Sequence, residues 1–165
     1  MPPLPGSPAI NAAIDSTFTT DQRGFAITDG FPDVGAVELR SEDITTIVNN
    51  FDNDSDDDGD GNPFLLELAL GTDPFLADAG SERNLRITFE NDLPQLTFGY
   101  ISNTRNSISL QLQKSNNLAT FGEVLMNLND DPNLENFDST ELFQVTDPDN
   151  DQKAFYRLKA EAIQN

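Results

Sequence analysis

Residues 56 to 67 read Asp56-Asp57-Asp58-Gly59-Asp60-Gly61-Asn62-Pro63-Phe64-Leu65-Leu66-Glu67. Acids stand at the first, third, fifth and twelfth positions and Gly61 at the sixth, a D-x-D-x-D-G-x5-E pattern. The chemistry of that spacing is the capture of a hard divalent cation. Calcium takes about six to eight oxygens, and such a loop supplies them from positions 1, 3, 5, 7, 9 and 12. Here those are Asp56, Asp58, Asp60, the Asn62 carbonyl, a water near Phe64 and a bidentate Glu67. Gly61 falls where the backbone must turn too sharply for a Cβ.

Neighbouring registers fail. A start at Asp54 places Leu65 at the twelfth position, and a start at Asp52 places Asp57 at the sixth and Pro63 at the twelfth. The Asp56 register has the spacing of an EF-hand loop. The wider stretch, residues 52–74, resembles thrombospondin type 3 and related single-loop calcium repeats of bacterial secreted proteins. The run from Asp52 to Gly61 and the ending Glu67-Leu68-Ala69-Leu70-Gly71-Thr72-Asp73-Pro74 carry that resemblance. In such repeats successive D-x-D pairs can hold a second ion, which makes Asp52 and Asp54 secondary candidate ligands. Two departures point to a solitary, extended variant. Asn53 to Ser55 separate the entering helix from position 1, and Pro63 removes the N–H through which paired hands join.

Two helices must position this loop. Ile44, Ile47, Val48 and Phe51 recur at i, i+3, i+4 and i+7, one apolar helix face. Ser41 is the expected N-cap, with Glu42 and Asp43 in the first turn. Behind the loop, Asn62 is the expected cap and Pro63 the first helical residue of a second helix that Gly71 ends.

Composition narrows the chemistry further. The 165 residues contain no Cys and no His, which removes thiol and imidazole catalysis and zinc sites of the usual kind. Nine basic side chains against 29 acidic ones leave a net charge of −20. Residues 41–82 hold twelve acids and no Lys or Arg. Nucleic acid and anionic membrane surfaces are therefore unsuitable partners, and a divalent cation is the natural counter-charge. No apolar run approaches the roughly 20 residues of a membrane span. Met1-Pro2-Pro3-Leu4-Pro5-Gly6 is unlike a signal peptide, so export would need a signal upstream of this chain. The calcium loop points to an extracellular or cell-surface location, where calcium reaches the roughly 0.1–1 mM that weak sites require.

The sequence divides into four parts. Residues 1–40 are punctuated by turn residues, and Asp29 to Glu38 is expected to end as a short strand. Residues 41–74 are the helix–loop–helix, and residues 75–84 form a linker. In residues 85–165 the apolar period becomes two. Leu85, Ile87 and Phe89 alternate, followed by Leu96, Phe98 and Tyr100, by Ile108, Leu110 and Leu112, and by Val124, Met126 and Leu128. Residues 142–145 and 154–158 complete six strands of an antiparallel sandwich. Turns are expected at Asn91-Asp92, Ser102-Asn103, Ser115-Asn116-Asn117, Asn129-Asp130-Asp131-Pro132 and Asp147-Pro148-Asp149-Asn150. The run from Asp147 to Asp151 repeats the D-x-D-x-D spacing, but Gln152 and Leu158 occupy its sixth and twelfth positions. It reads as a tight turn.

Two further resemblances extend this division. Ser7 to Ala12, Asp21 to Gly24 and Asp33 to Glu38 are similar to the closing run of right-handed parallel β-helices in bacterial surface proteins. That resemblance implies the end of a β-helix whose other coils precede this chain. Leu110 to Leu118, Thr146-Asp147-Pro148 and Phe155-Tyr156-Arg157-Leu158 resemble a small β-sandwich that ends many exported bacterial proteins, with Phe121 near the usual Trp. The expected fold is mainly β: the end of a parallel β-helix, a short helix–calcium loop–helix, then the sandwich. The expected function is a non-enzymatic, calcium-binding spacer, with calcium stiffening the joint between two β domains. Cell-surface or polysaccharide components are candidate partners. The alternatives are an accessory region of a β-helical polysaccharide-degrading enzyme, a dockerin-like module or a carbohydrate-binding module. A catalytic Arg/Lys cleft in upstream coils, binding to a scaffoldin-type receptor, or binding to glycans would discriminate them.

Overall fold

The period-two stretches after residue 84 extend as strands, in which successive side chains point to opposite faces of a sheet. The computed structural model describes residues 1–27, 31–130, 140–149 and 153–164. Its strands are β1 (Arg86–Glu90), β2 (Leu93–Ile101), β3 (Ile108–Ser115), β4 (Glu123–Asn127), β5 (Thr140–Thr146) and β6 (Phe155–Ala162). They form two three-stranded antiparallel sheets, ordered β1-β2-β5 and β4-β3-β6. Among the described residues the chain is mainly β, with two short α-helices, and no described helix is long and apolar enough to cross a membrane.

The central strands supply the core. Leu96, Phe98 and Tyr100 of β2 and Ile108, Leu110 and Leu112 of β3 are fully buried in one cluster. Each such side chain contributes roughly 1.5–3 kcal/mol of transfer free energy. Asn91 and Asp92 join β1 to β2 with φ of 51° and 64°, the left-handed pair of a two-residue hairpin turn. The expected turn residues Asp131-Pro132 and Asn150-Asp151 lie outside the described residues, as do Asp29 and Gly30.

An ion pair ties the sheets together. Lys114 Nζ on β3 lies 2.8 Å from Asp147 Oδ2, just past the end of β5, and both side chains are buried. The Tyr156 hydroxyl on β6 donates to the same oxygen at 2.7 Å, and the Asp147 N–H donates to the Pro94 carbonyl of β2 at 3.0 Å. A cation–π contact, 4.3 Å from the Arg157 guanidinium to the Phe121 ring, occupies the position where the resemblance implied a Trp.

Helix α1 (Ser41–Asn50) buries Ile44, Ile47 and Val48, and helix α2 (Phe64–Leu70) is buried on nearly every side. Both helices start one residue from their expected caps. Arg40 rather than Ser41 precedes α1, its N–H donating to the Asp43 carboxylate at 3.1 Å, and Pro63 rather than Asn62 precedes α2. A helix apolar all round belongs in an interior, and α2 contacts β2 of one sheet and β3 and β6 of the other. It ends at Gly71, with φ of 76°, where a Cβ would fall 2.6 Å from the Ile101 side chain.

The N-terminal segment departs from expectation. Among its described residues the only bridge is the isolated antiparallel pair Thr20–Ala26, and no parallel β-helix coil is present. The strand expected before Glu38 does not form because side chains satisfy its backbone. Asp33 accepts the N–H groups of Asn11 and Leu39 at 2.8 Å, and Glu38 accepts that of Asp33 at 2.7 Å. Arg23 gathers the segment onto α1, donating to Asp21, to Asp43 and to the Glu38 carbonyl. Burial of the Asp21 carboxyl is outweighed by Arg23 and by N–H donors, which hold it down to about 2.

Candidate metal centre

The loop between the helices is shaped by its own aspartates. Asp56 Oδ1 accepts the N–H groups of Gly59 and Asp60 at 2.9 and 3.1 Å, and its Oδ2 that of Gly61 at 3.1 Å. Asp58 accepts the Asp60 N–H at 3.1 Å, and Asp60 that of Asn62 at 2.9 Å. Short carboxylates close such turns readily. Gly59 and Gly61 take φ of 79° and 99°, conformations strained for residues with a Cβ.

The loop folds back over the start of α2. The N–H groups of Phe64 and Leu65, which have no partner within the helix, donate to Ser55 and Asn53 carbonyls at 2.7 and 3.2 Å. Phe51, at the loop's entrance, stacks on Phe64 at its exit with ring centres 4.8 Å apart, and Phe75 closes on the pair at 6.0 and 6.3 Å.

The carboxylates converge in two groups that share Asp60. Oxygens of Asp56, Asp58 and Asp60 lie within 4.8 Å of one another, as do oxygens of Asp60, Glu67 and Asp78. Asn62 enters through its N–H to Asp60 and through its amide, which donates to Asn84 Oδ1 at 3.4 Å. Asp52 and Asp54 belong to neither group. Both are exposed, and Asp52 accepts the Asp54 N–H at 3.2 Å.

Glu67 is the unusual member. Its relative exposure is 0%, Thr72 donates to its Oε1 at 3.4 Å, and its Oε2 has no hydrogen-bond partner. Asp58 Oδ2 and Asp78 Oδ1 are likewise buried atoms without donors. Among the described residues no Lys or Arg forms an ion pair with Asp58, Asp60, Glu67 or Asp78. Burial, reinforced by the charges of Asp58, Asp60 and Asp78, pushes the Glu67 carboxyl up to about 8, and burial and Asp60 raise that of Asp78. Buried oxygens facing one another without donors fit a hard cation held by oxygen.

Asp78 is the residue that loop spacing does not reach. It lies eleven positions beyond Glu67, in the stretch expected to be a linker, and no periodicity marks it. That stretch is bound to the sheets. The Arg83 guanidinium donates to the Leu70 and Tyr100 carbonyls, and the Gly99 N–H donates to the Arg83 carbonyl at 2.7 Å.

No protein-family model, curated protein or solved structure matches this chain.

Proposed function

We propose that this region is a calcium-binding structural element of an exported, multidomain bacterial protein at or outside the cell surface. Asp56, Asp58, Asp60, the Asn62 carbonyl and Glu67 take the ion. One observation carries the reading. The acid at the twelfth position of the only fitting register is fully buried with an oxygen that meets no donor. An uncompensated buried carboxylate costs several kcal/mol, and a divalent cation supplies the missing charge.

The ion's role is mechanical. Six aspartates between residues 52 and 60 repel one another, and calcium gathers them into a stiff joint between the N-terminal segment and the sheets. The similarity of the C-terminal strands to the sandwiches that end exported bacterial proteins supports a place in such a protein. The function assigned to these residues is support, with no catalytic step. Calorimetric titration of Glu67→Gln with calcium chloride tests the reading: the variant should lose most of the affinity, and unchanged binding would reject the site.

A further inference from the structure

We infer that Asp78 is a calcium ligand contributed from outside the loop, so that one ion clamps three separate chain segments. The inference rests on the calcium site proposed above and changes what that site does. A loop that supplied all its own ligands would bind the ion and stiffen only itself. An ion held by Asp60 of the loop, by Glu67 of α2 and by Asp78 joins the loop, a core helix and the segment that leads into β1.

The geometry points there independently of the loop pattern. Oxygens of Asp60, Glu67 and Asp78 already lie within 4.8 Å of one another. Glu67 is wholly buried with an unpartnered Oε2, and Asp78 Oδ1 is buried and equally without a donor. The backbone holds Asp78 in place by means that do not use its carboxylate. Its N–H donates to Asp60 Oδ2 at 3.2 Å, and its carbonyl accepts from the Ser81 N–H at 2.6 Å and from the Asn84 amide at 3.2 Å. Asn84 in turn accepts from the Asn62 amide. The side chain is thus presented to the acidic group with both ends of its peptide unit anchored.

Calcium coordination by oxygen requires about 2.3–2.6 Å from ion to ligand and six to eight donors. Oxygens that are mutual neighbours at the separations seen here can converge on one such centre. Three carboxylates at the centre also favour a doubly charged ion over a monovalent one. The clamp has a structural consequence, because Arg83, five residues beyond Asp78, is bonded to α2 and to β2. Calcium should therefore order the path from loop to sheet as well as the loop.

The test compares three variants of the full chain, titrated calorimetrically with calcium chloride. Asp78→Asn keeps the backbone bonds and removes one anionic ligand, and its affinity should fall by about tenfold or more. Asp57→Asn removes the same charge from an exposed loop position outside both acidic groups, and its affinity should change by less than about threefold. Glu67→Gln should lose binding. If Glu67→Gln loses binding while Asp78→Asn matches Asp57→Asn, the inference fails and the loop site stands. If Glu67→Gln binds normally, the calcium site itself is rejected and Asp78 with it. A variant-free check is the crystal structure of the unaltered protein grown with calcium chloride. An Asp78 oxygen within about 2.6 Å of the ion supports the clamp, and an Asp78 side chain turned away from the ion overturns it.

Discussion

Two stretches of this chain place aspartate at every second position, and the fold handles their charge in opposite ways. At the turn after β5, Asp147 is completely buried, and the chain supplies its counter-charge: Lys114 at 2.8 Å, with Tyr156 donating to the same oxygen. At the loop between the helices, Glu67 is just as buried, and its neighbours are Asp58, Asp60 and Asp78. Burial alone raises a carboxyl pKa, and the surroundings decide the outcome. Lys114 and Tyr156 outweigh burial and hold Asp147 below the ordinary value, whereas burial and three acids push Glu67 up to about 8. Spacing does not separate a self-contained polar pair from an acidic group without a counter-charge. The presence of a basic side chain within reach does.

The largest effect should come from breaking the self-contained pair. Lys114→Met leaves Asp147 buried without its cation, and the loss should be about 3–5 kcal/mol in urea unfolding, equal with and without calcium. A loss below about 1 kcal/mol would show that solvent reaches Asp147 and would dissolve the contrast.

Glu67→Gln should act oppositely in two conditions. In calcium at a hundred times the dissociation constant, the unaltered chain should gain about 2.7 kcal/mol, and the variant should gain almost nothing. In chelator the variant should melt higher than the unaltered chain, because a neutral amide replaces a carboxyl surrounded by acids. Thermal melts in both conditions check the pair of signs. A variant less stable in chelator would show that Glu67 is already neutralised by the fold.

Acid and base should separate the regions more gently. Without calcium, Glu67 ionises near 4.5 when unfolded and near 8 when folded, so the folded chain holds the extra proton between those values. Its contribution to stability is full below 4.5 and is lost as pH rises toward 8. Asp147 has the reverse sign. Its folded value is depressed, so its contribution is present above 3.8 and is lost as pH falls through the folded value. Unfolding free energies across the window from 4.5 to 8 should slope downward in calcium-free buffer and flatten in saturating calcium. A slope that persists with calcium would place the proton elsewhere.

The smallest effect concerns the outer aspartates. Replacing Asp52 and Asp54 together by Asn should change calcium affinity by less than about threefold, since both side chains are exposed and screened. A second, independent calcium isotherm that disappears in this double variant would restore them as ligands.

The first four strands were legible because apolar residues alternate along them, and the last two as short apolar runs near turn-forming residues. Asn91-Asp92 is the clearest case, its residue types matching the left-handed pair that a two-residue hairpin demands. Helix α2 was legible as a helix from its caps and length, whereas its place between the sheets emerges only in the fold. The local hint of that place is the run from Phe64 to Leu70, which leaves no continuous polar face to turn toward water. The N-terminal segment misled because the run from Asp29 to Glu38 read as ending in a short strand, with Asp33 and Glu38 as ordinary polar residues of it. In the fold they act as acceptors for backbone N–H groups, a role that depends on where the chain returns. The convergence of Asp56, Asp58 and Asp60 was legible from spacing alone, whereas the approach of Asp78 to Glu67 and the partnership of Lys114 with Asp147 depend on chain path. Nothing local distinguishes Lys114 from a solvated lysine until β3 and the end of β5 meet.

The strand order also sets a timetable for folding. Each sheet combines one hairpin of neighbouring strands, β1–β2 or β3–β4, with one strand that arrives from far along the chain. Ile101 must wait for Thr140, and Ile108 for Ala162. Non-local pairing of this kind slows folding, because the entropy of closing long loops is lost before contacts reward it. As the chain emerges from the ribosome, the hairpins can close early, while one edge of β2 and one edge of β3 stay open. Open edges invite pairing with other chains. Any truncation that removes β6 should therefore yield aggregates rather than a smaller folded unit.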